Sequence, residues 1–324
     1  MGFYGVINKN KELMKASKII NDAYYKFLKF MFALDPLIPL PFTLKLYYFI
    51  GTGKWIDFDN PADFNEKIQW LKAYYRDPLY IECADKYAVR EYVRACGCEN
   101  MLNQLYALYD SEKDIDFEAL PKSFVMKCTH GCGFNLICSD RDTLDYNAVR
   151  EQFGIWLKTR IGNISGEKHY NYIRPRIIVE ANLIGDDGRL PIDYKFYCFN
   201  GKPKCICVFA DRGIVSQGTT RCYFDLSWNE LDFCTPKYKT SADRFPRPVA
   251  LEEMIATAEK LARPFPFVRV DLYQIFGKTV FGELTFTPAG GKGHAYNATC
   301  QKQFCDWLKL PPKSKSRKWY PSER

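Results

Sequence analysis

The chain has 324 residues, 47% of them hydrophobic and 26% charged. That balance excludes wholesale disorder and provides for one large or two ordinary domains with a sizeable core. The net charge of +8 sits at the two ends, and the body between them is balanced, with 35 residues of each sign; this argues against a nucleic-acid-binding core, in which a basic stripe would cross the fold.

Residues 1–30 carry Lys9, Lys11, Lys15, Lys18, Lys26 and Lys29 against Glu12 and Asp22, and residues 313–324 carry Lys313, Lys315, Arg317, Lys318 and Arg324 against Glu323. Basic ends suit an anionic membrane surface or an anionic polymer, and ordinary solvated termini look the same. The start, MGFYGVINKNKELMK, lacks the apolar core of a signal peptide. The expectation is therefore a cytoplasmic protein whose thirteen cysteines stay reduced, with its basic ends toward the inner face of the membrane. No C-x-x-C pair occurs and only three His exist, so most cysteines read as small buried hydrophobes rather than metal ligands.

In chain order, FMFALDPLIPLPFTLKLYYFIG (30–51) is the most apolar N-terminal stretch, but Asp35, Lys45 and three prolines exclude a membrane-spanning helix. It suits packing onto the fold or lying on a membrane surface. DFNEKIQWLKAYYRD predicts a helix capped by Asp63, with Glu66 three positions on and Ile68, Leu71 and Tyr75 inward. DKYAVREYVRACG predicts a second, capped by Asp85 and stopped at Gly97. After the linker 111–122, SFVMK and LICSD read as partner strands around the loop CTHGCGFN. A helical stretch over 145–160 leads to a third strand, RIIVEANL. Asn200-Gly201 signals a hairpin with arms IDYKFYCF and KPKCICVFA, and the helix 250–263 precedes a last hairpin, FVRVDLYQIFGKTVFGELTFTP (267–288). The order is α+β, with antiparallel sheets predominating.

That last hairpin holds one carboxylate on each arm. Alternation sets Arg269, Asp271 and Tyr273 on one face of the first arm and Glu283, Thr285 and Thr287 on one face of the second. A three-residue loop of Phe276, Gly277 and Lys278 sets Asp271 opposite Glu283 and Arg269 opposite Thr285. Two carboxylates roughly 5 Å apart repel by about 3 kcal/mol at an effective dielectric of 20. Either one is protonated, a cation such as Mg²⁺ sits between them, or both point to water and pair with Arg269.

Upstream, Lys127 ends a strand and runs into a loop with Gly131 and Gly133, whose small residues let backbone amides approach phosphate. The bland reading is a turn needing two positive φ angles. Lys195 sits mid-strand, where the Asn-Gly turn sets it opposite Ile206 and beside Val208, an apolar surrounding that favours snorkelling unless an anion is met. Together, these lysines and the carboxylate pair form a set suited to a nucleoside triphosphate held through Mg²⁺.

These motifs resemble the ATP-grasp superfamily, and specifically the TupA-like ATP-grasp proteins of bacterial polysaccharide gene clusters. The resembling segments are FNEKIQWLKAYYRDPLY, DKYAVREYV, FVMKCTHGCGFN, RIIVEANL, DYKFYCFNGKPK, FPFVRVDLY and FGELTFTPAGG, in family order over about 55–310. The resemblance implies two α+β lobes with largely antiparallel sheets, with ATP and Mg²⁺ between them. On that reading 1–118 is a helical lead-in, 119–179 the small lobe, 180–312 the large lobe and 313–324 a basic tail.

It further implies Lys86 and Lys127 on the phosphates and 131–135 as the loop over ATP. Glu180 to Leu183 would be the hinge at adenine and ribose, with Lys195 and Asp193 near it. Asp271 and Glu283, with Thr285, would be Mg²⁺ ligands, and Arg269 and Lys127 catalytic. Thr285 stands where many members carry Asn, and GGKGHAYNATC departs from the usual ending, so the resemblance leaves the acceptor pocket unassigned. The implied activity is ATP-dependent joining of a carboxylate to an amine, such as an amino acid and a uronic acid, in surface polysaccharide assembly. The alternatives are a glycosyltransferase, for which DFD (57–59) and DID (114–116) match the short DxD pattern, and a non-catalytic relic of the fold.

Overall fold

A computed structural model describes residues 26–34, 37–183, 191–210, 220–315 and 319. Much of the basic charge at both ends, including Lys9 to Lys18, Arg317, Lys318 and Arg324, lies outside these residues. Two sheets organise the chain, and every ladder in them is antiparallel. The smaller has the order β1-β4-β2-β3, from Leu105–Tyr109 (β1), Phe124–Cys128 (β2), Asn135–Cys138 (β3) and Ile177–Ala181 (β4). The larger has the order β10-β9-β5-β6-β7-β8, from Asp193–Phe199 (β5), Lys202–Ala210 (β6), Thr220–Phe224 (β7), Glu230–Leu231 (β8), Phe267–Ile275 (β9) and Lys278–Thr285 (β10). The α+β class with antiparallel sheets is as expected. Strand β1 was not anticipated: LYALY lacks polar alternation, and pairing with β4 makes it the sheet's edge. The small sheet thus begins before residue 119.

Both expected N-terminal helices form. The first is Phe64–Tyr74, here α2 after Leu40–Thr52 (α1). Asp63 accepts the Glu66 amide at 2.9 Å, satisfying one orphan donor of the first turn, and Glu66 Oε2 reaches back to accept the Ala62 amide, just before the cap, at 2.8 Å. Asp63→Ala is expected to lower stability by about 1 kcal/mol; urea unfolding checks this as a lower midpoint at unchanged slope. Next come Leu79–Ala84 (α3) and Val89–Ala95 (α4), before which Asp85 Oδ1 accepts the Tyr87 and Ala88 amides. The chain leaves α4 through Gly97 at φ +71°.

The large sheet is buried on both faces, and period-two alternation sorts its residues. Tyr194, Phe196 and Cys198 face a helix at Leu251–Ala262, named α6 because Tyr146–Lys158 (α5) precedes it. Tyr197, Phe199, Cys205, Cys207 and Phe267 face α2 and a C-terminal helix, Ala298–Trp307 (α7), where Phe64 and Phe304 meet edge to face at 5.1 Å. The cysteines therefore serve as small apolar residues: ten of the thirteen are buried and all are free thiols. In the small sheet, Phe124, Met126, Cys128, Ile177 and Val179 pack on Phe153 of α5. The alternating residues Val125, Lys127 and Glu180 look into a cleft instead.

The apolar stretch 30–51 contributes α1, which buries Leu40, Leu44, Tyr47 and Tyr48 and leaves Phe42, Phe49 and Ile50 exposed. Among the described residues, no helix is long and apolar enough to cross a membrane.

Candidate functional site

The cleft, of about 390 Å³, is lined from both sheets. On the small-sheet side Lys127 Nζ donates to Glu180 Oε2 at 2.9 Å, and Arg90 Nη1 donates to Glu180 Oε1 at 3.1 Å. Glu180 is 8% exposed and lies inside β4, opposite Val125 on β2 and Leu105 on β1. Its carboxylate thus braces Lys127 over the cleft. The chain then leaves the sheet through Asn182 and Leu183, which line the same wall.

The glycine loop follows β2 directly. Cys128 donates its amide to the Phe134 carbonyl at 2.9 Å, closing the loop, and Gly131 (φ +121°) and Gly133 (φ +74°) adopt angles that favour glycine. At Gly131 a Cβ would also meet the Ile161 side chain at 2.8 Å. The Lys86 ammonium donates to the Gly131 carbonyl, tying the turn before α4 to the loop. Burial pushes the Lys86 amine below its usual value; Glu283 across the cleft works against this and Lys127 reinforces it.

The last hairpin supplies the opposite wall. Its turn has two residues, Phe276 (φ +48°) and Gly277 (φ +75°), and Ile275 pairs with Lys278. The expected three-residue loop is therefore corrected. Phe at a positive φ is uncommon, and nothing in the local sequence marks it. The expected pairing nonetheless stands, because a bulge between Phe281 and Glu283 inserts one residue and restores Asp271 opposite Glu283 and Arg269 opposite Thr285. Gly282 is the extra residue, and a Cβ there would meet the Asp271 carbonyl oxygen at 2.9 Å. Gly282→Ala is expected to cost about 1–3 kcal/mol and to weaken any ligand held by Glu283, read by thermal unfolding and nucleotide titration of one preparation.

The carboxylates differ in environment. Asp271 is 1% exposed, and Arg269 grips it with Nε on Oδ1 and Nη2 on Oδ2, both at 2.7 Å. Lys195 bonds the same Oδ2 and also Asp193 Oδ2 at 2.6 Å. Burial pushes the Asp271 carboxyl up, but Arg269 and Lys195 outweigh it and hold the group below the usual carboxylate range. Glu283 is more open; its Oε1 accepts from Arg269 Nη2 at 3.2 Å and from Thr285 Oγ1 at 3.0 Å. The cation between the acids is thus the Arg269 guanidinium.

Lys195 corrects a second expectation. A bulge between Tyr197 and Cys198 shifts it opposite Cys207 rather than Ile206, and on its other side it pairs with Asp271. At 7% exposure it does not snorkel but meets the Asp193 and Asp271 carboxylates.

The structure gathers the sequence candidates into one place. Lys86, Lys127, Gly133, Glu180, Leu183, Lys195, Asp271 and Glu283 line the cleft; Gly131 is tied to Lys86, and Arg269 and Thr285 to the two acids. Arg90 was missed: it sits in a helix pattern as an ordinary surface cation, and only the long-range meeting with Glu180 reveals it. The DxD matches lie elsewhere. Asp57 accepts the Asp59 amide in a turn, Asp116 accepts the Glu118 amide, and neither motif lines the cleft.

Glu283, half open to the cleft, and the Thr285 hydroxyl are donors of the kind a hard divalent cation takes, whereas both Asp271 oxygens are held by Arg269 and Lys195, so Asp271 would join them only by giving up one of those contacts. Among the described residues, no group of three or more His, Cys, Asp or Glu side chains forms a self-sufficient metal centre.

A family model for TupA-like ATP-grasp proteins matches residues 66–309, and the chain belongs to that family. No protein of curated function matches it in sequence. Among solved structures it is similar to a D-alanine–D-alanine ligase from Bacillus anthracis complexed with ATP, at 14% identity and a TM-score of 0.43, over 70% of this chain and 65% of that one. It is also similar to an L-amino acid ligase from Bacillus licheniformis, at 11% identity and a TM-score of 0.45, over 71% of this chain and 50% of that one. A third is the ATP-grasp ligase PsnB with a precursor variant, Mg and ADP, at 13% identity and a TM-score of 0.39, over 75% and 65%. The chain thus spans about two thirds or less of the length of these three proteins.

Proposed function

We propose that this protein is an ATP-dependent carboxylate–amine ligase that works through an acyl phosphate. One observation carries the reading: lysines of the small-sheet side and the Asp271–Glu283–Arg269 cluster of the hairpin face each other across one cleft. In this reading Lys86 and Lys127 hold the phosphates, the loop with Gly131 and Gly133 covers them, and Glu180 keeps Lys127 extended. The segment through Leu183, with Lys195, borders the base and ribose. Asp271, Glu283 and Thr285 would hold Mg²⁺, which would supply charge neutralisation on the phosphate oxygens.

A substrate carboxylate oxygen attacks the γ-phosphorus, the bond to the bridging oxygen breaks, and ADP leaves. Arg269, released from part of its contact with the acids, sits on the transferred phosphoryl group. The amine then attacks the acyl carbon, phosphate departs with the electron pair of the C–O bond, and the amine's proton is lost to solvent. Positioning and charge complementarity do most of this work.

Family membership supports a place in surface polysaccharide assembly, such as a capsule, with an amino acid or amine joined to a uronic acid. Contact with an anionic membrane is supported by Phe27, Phe30, Phe42 and Trp55, all exposed, beside Lys26, Lys29 and Lys54. Co-sedimentation with vesicles containing anionic lipid, lost when Phe30 and Phe42 become Ser, checks that contact.

The deciding experiment is calorimetric titration with a non-hydrolysable ATP analogue, AMP-PNP, and with UDP-sugars, each with and without Mg²⁺. Mg²⁺-dependent AMP-PNP binding is expected, weakened at least tenfold in Lys127→Met, which removes about 1.4 kcal/mol or more. Binding of a UDP-sugar alone overturns the ligase reading.

A further inference from the structure

Glu180 holds Lys127 in place, but a carboxylate that close also cancels the charge it positions. Lys127 Nζ donates to Glu180 Oε2 at 2.9 Å, and a lysine paired so closely presents little net charge to a phosphate. Lys86, by contrast, is tied to a neutral group, the Gly131 carbonyl. The small-sheet wall therefore needs a further cation if Glu180 is to orient Lys127 without quenching it.

Arg90 stands where that cation is needed. It reaches from α4 to the carboxylate oxygen that Lys127 leaves open, Nη1 on Oε1 at 3.1 Å, so the two cations share one anion without competing for an oxygen. One carboxylate between two cations leaves the trio with a single net positive charge. All three side chains line the cleft, and their exposure is graded: 9% for Arg90, 11% for Glu180 and 30% for Lys127. The surplus charge is thus presented at Lys127, the member most open to a ligand.

Arg90 also makes contacts that suit a structural clamp. Its Nη2 donates to the Asn103 carbonyl at 2.9 Å, and Asn103 Nδ2 donates to the Ala181 carbonyl at 2.8 Å, joining α4 to the end of β4. Yet Arg90 Nε is buried and, among the described residues, has no hydrogen-bond partner. A clamp gains nothing from a buried cation with one donor unmet, because a well-packed apolar side chain would join the same elements with less desolvation. Positive charge is the property that a clamp does not need and a phosphate site does.

We propose that Arg90 is a positioning residue for the nucleotide phosphates that acts through Glu180: it neutralises the carboxylate that orients Lys127 and so leaves the Lys127 charge available to the phosphates. This rests on the ligase reading and deepens it. The effect depends on charge rather than on shape, and the low exposure of Arg90 and Glu180 limits its screening by solvent.

The test measures AMP-PNP binding with Mg²⁺ by calorimetry, and thermal unfolding of the free protein, for Arg90→Met, Arg90→Lys and the double variant Arg90→Met with Glu180→Gln. Arg90→Met leaves Glu180 to Lys127 alone and is expected to weaken binding about tenfold or more. Arg90→Lys keeps the charge while giving up one of the two contacts, and is expected to stay within about threefold of the wild-type protein. In the double variant the Gln amide oxygen still accepts from Lys127 and has no charge to cancel it. The net charge of the trio is restored, and binding is expected to return to within about threefold of wild type.

A clamp predicts the reverse: Arg90→Lys fails with Arg90→Met, and the double variant, having lost a further contact, binds no better. Wild-type affinity in Arg90→Met, or a loss that the double variant does not recover, overturns the inference. If Arg90→Met does not unfold cooperatively, the double variant decides alone, by binding inside or outside the stated range. Failure of the wild-type protein to bind AMP-PNP overturns the ligase reading on which the inference stands.

Discussion

Replacement of Glu283 by Gln is expected to lower Mg²⁺-ATP turnover by about a thousandfold or more, or ~4 kcal/mol of transition-state stabilisation, while leaving the fold intact. Glu283 has a side chain 47% exposed, and its Oε1 is an acceptor for Arg269 and Thr285, a role the amide oxygen of Gln retains. Packing and hydrogen bonds therefore survive, and what disappears is the charge that, in the proposed function, faces Mg²⁺ and the phosphates. ADP release in a coupled assay reads the loss, and the thermal midpoint of the same preparation reads the fold. Full activity in Glu283→Gln removes the carboxylate pair from the metal site.

Asp271 is expected to behave in the opposite way, because its charge is part of the core. Asp271→Ala removes the buried anion that Arg269 and Lys195, with side chains 13% and 8% exposed, share, leaving Arg269 only Glu283 and Lys195 only Asp193 as carboxylate partners. The expected loss of stability is about 3–5 kcal/mol, the usual result of breaking one side of a buried ion pair. Asp271→Asn keeps the shape and one acceptor oxygen and is expected to lose less. Urea midpoints separate the two variants.

The pH dependence has a definite sign. The folded-state pKa of Asp271 is depressed, since Arg269 and Lys195 outweigh burial, so its stabilisation is fully present above the unfolded value of about 4. It is lost as pH falls through the folded value, below that point. Asp271→Asn is accordingly expected to flatten the acid limb of the stability curve below about pH 4. An unchanged acid limb removes Asp271 as the group responsible.

The opposed fates of two acids on one hairpin show what the sequence determined about this protein. Strict alternation in FVRVDLY and GELTF set the apolar residues Val268, Val270, Leu272 and Leu284 on the core face and Arg269, Asp271, Glu283 and Thr285 on the other. The caps at Asp63 and Asp85, the Asn200-Gly201 turn and the helix before the hairpin were likewise legible, because each depends on a few adjacent residues.

Only the tertiary structure decided the rest. Two bulges, at Gly282 and between Tyr197 and Cys198, moved strand registers by one residue, and it was the pairing of β5 with β9 that made Lys195 a partner of Asp271. The meeting of Arg90 with Glu180, and of Lys72 with the turn at Gly290, joins residues 90 and 218 positions apart. Side chains so distant in sequence carry no periodic signal of each other; burial makes their charges interact strongly, and burial is a property of the whole fold.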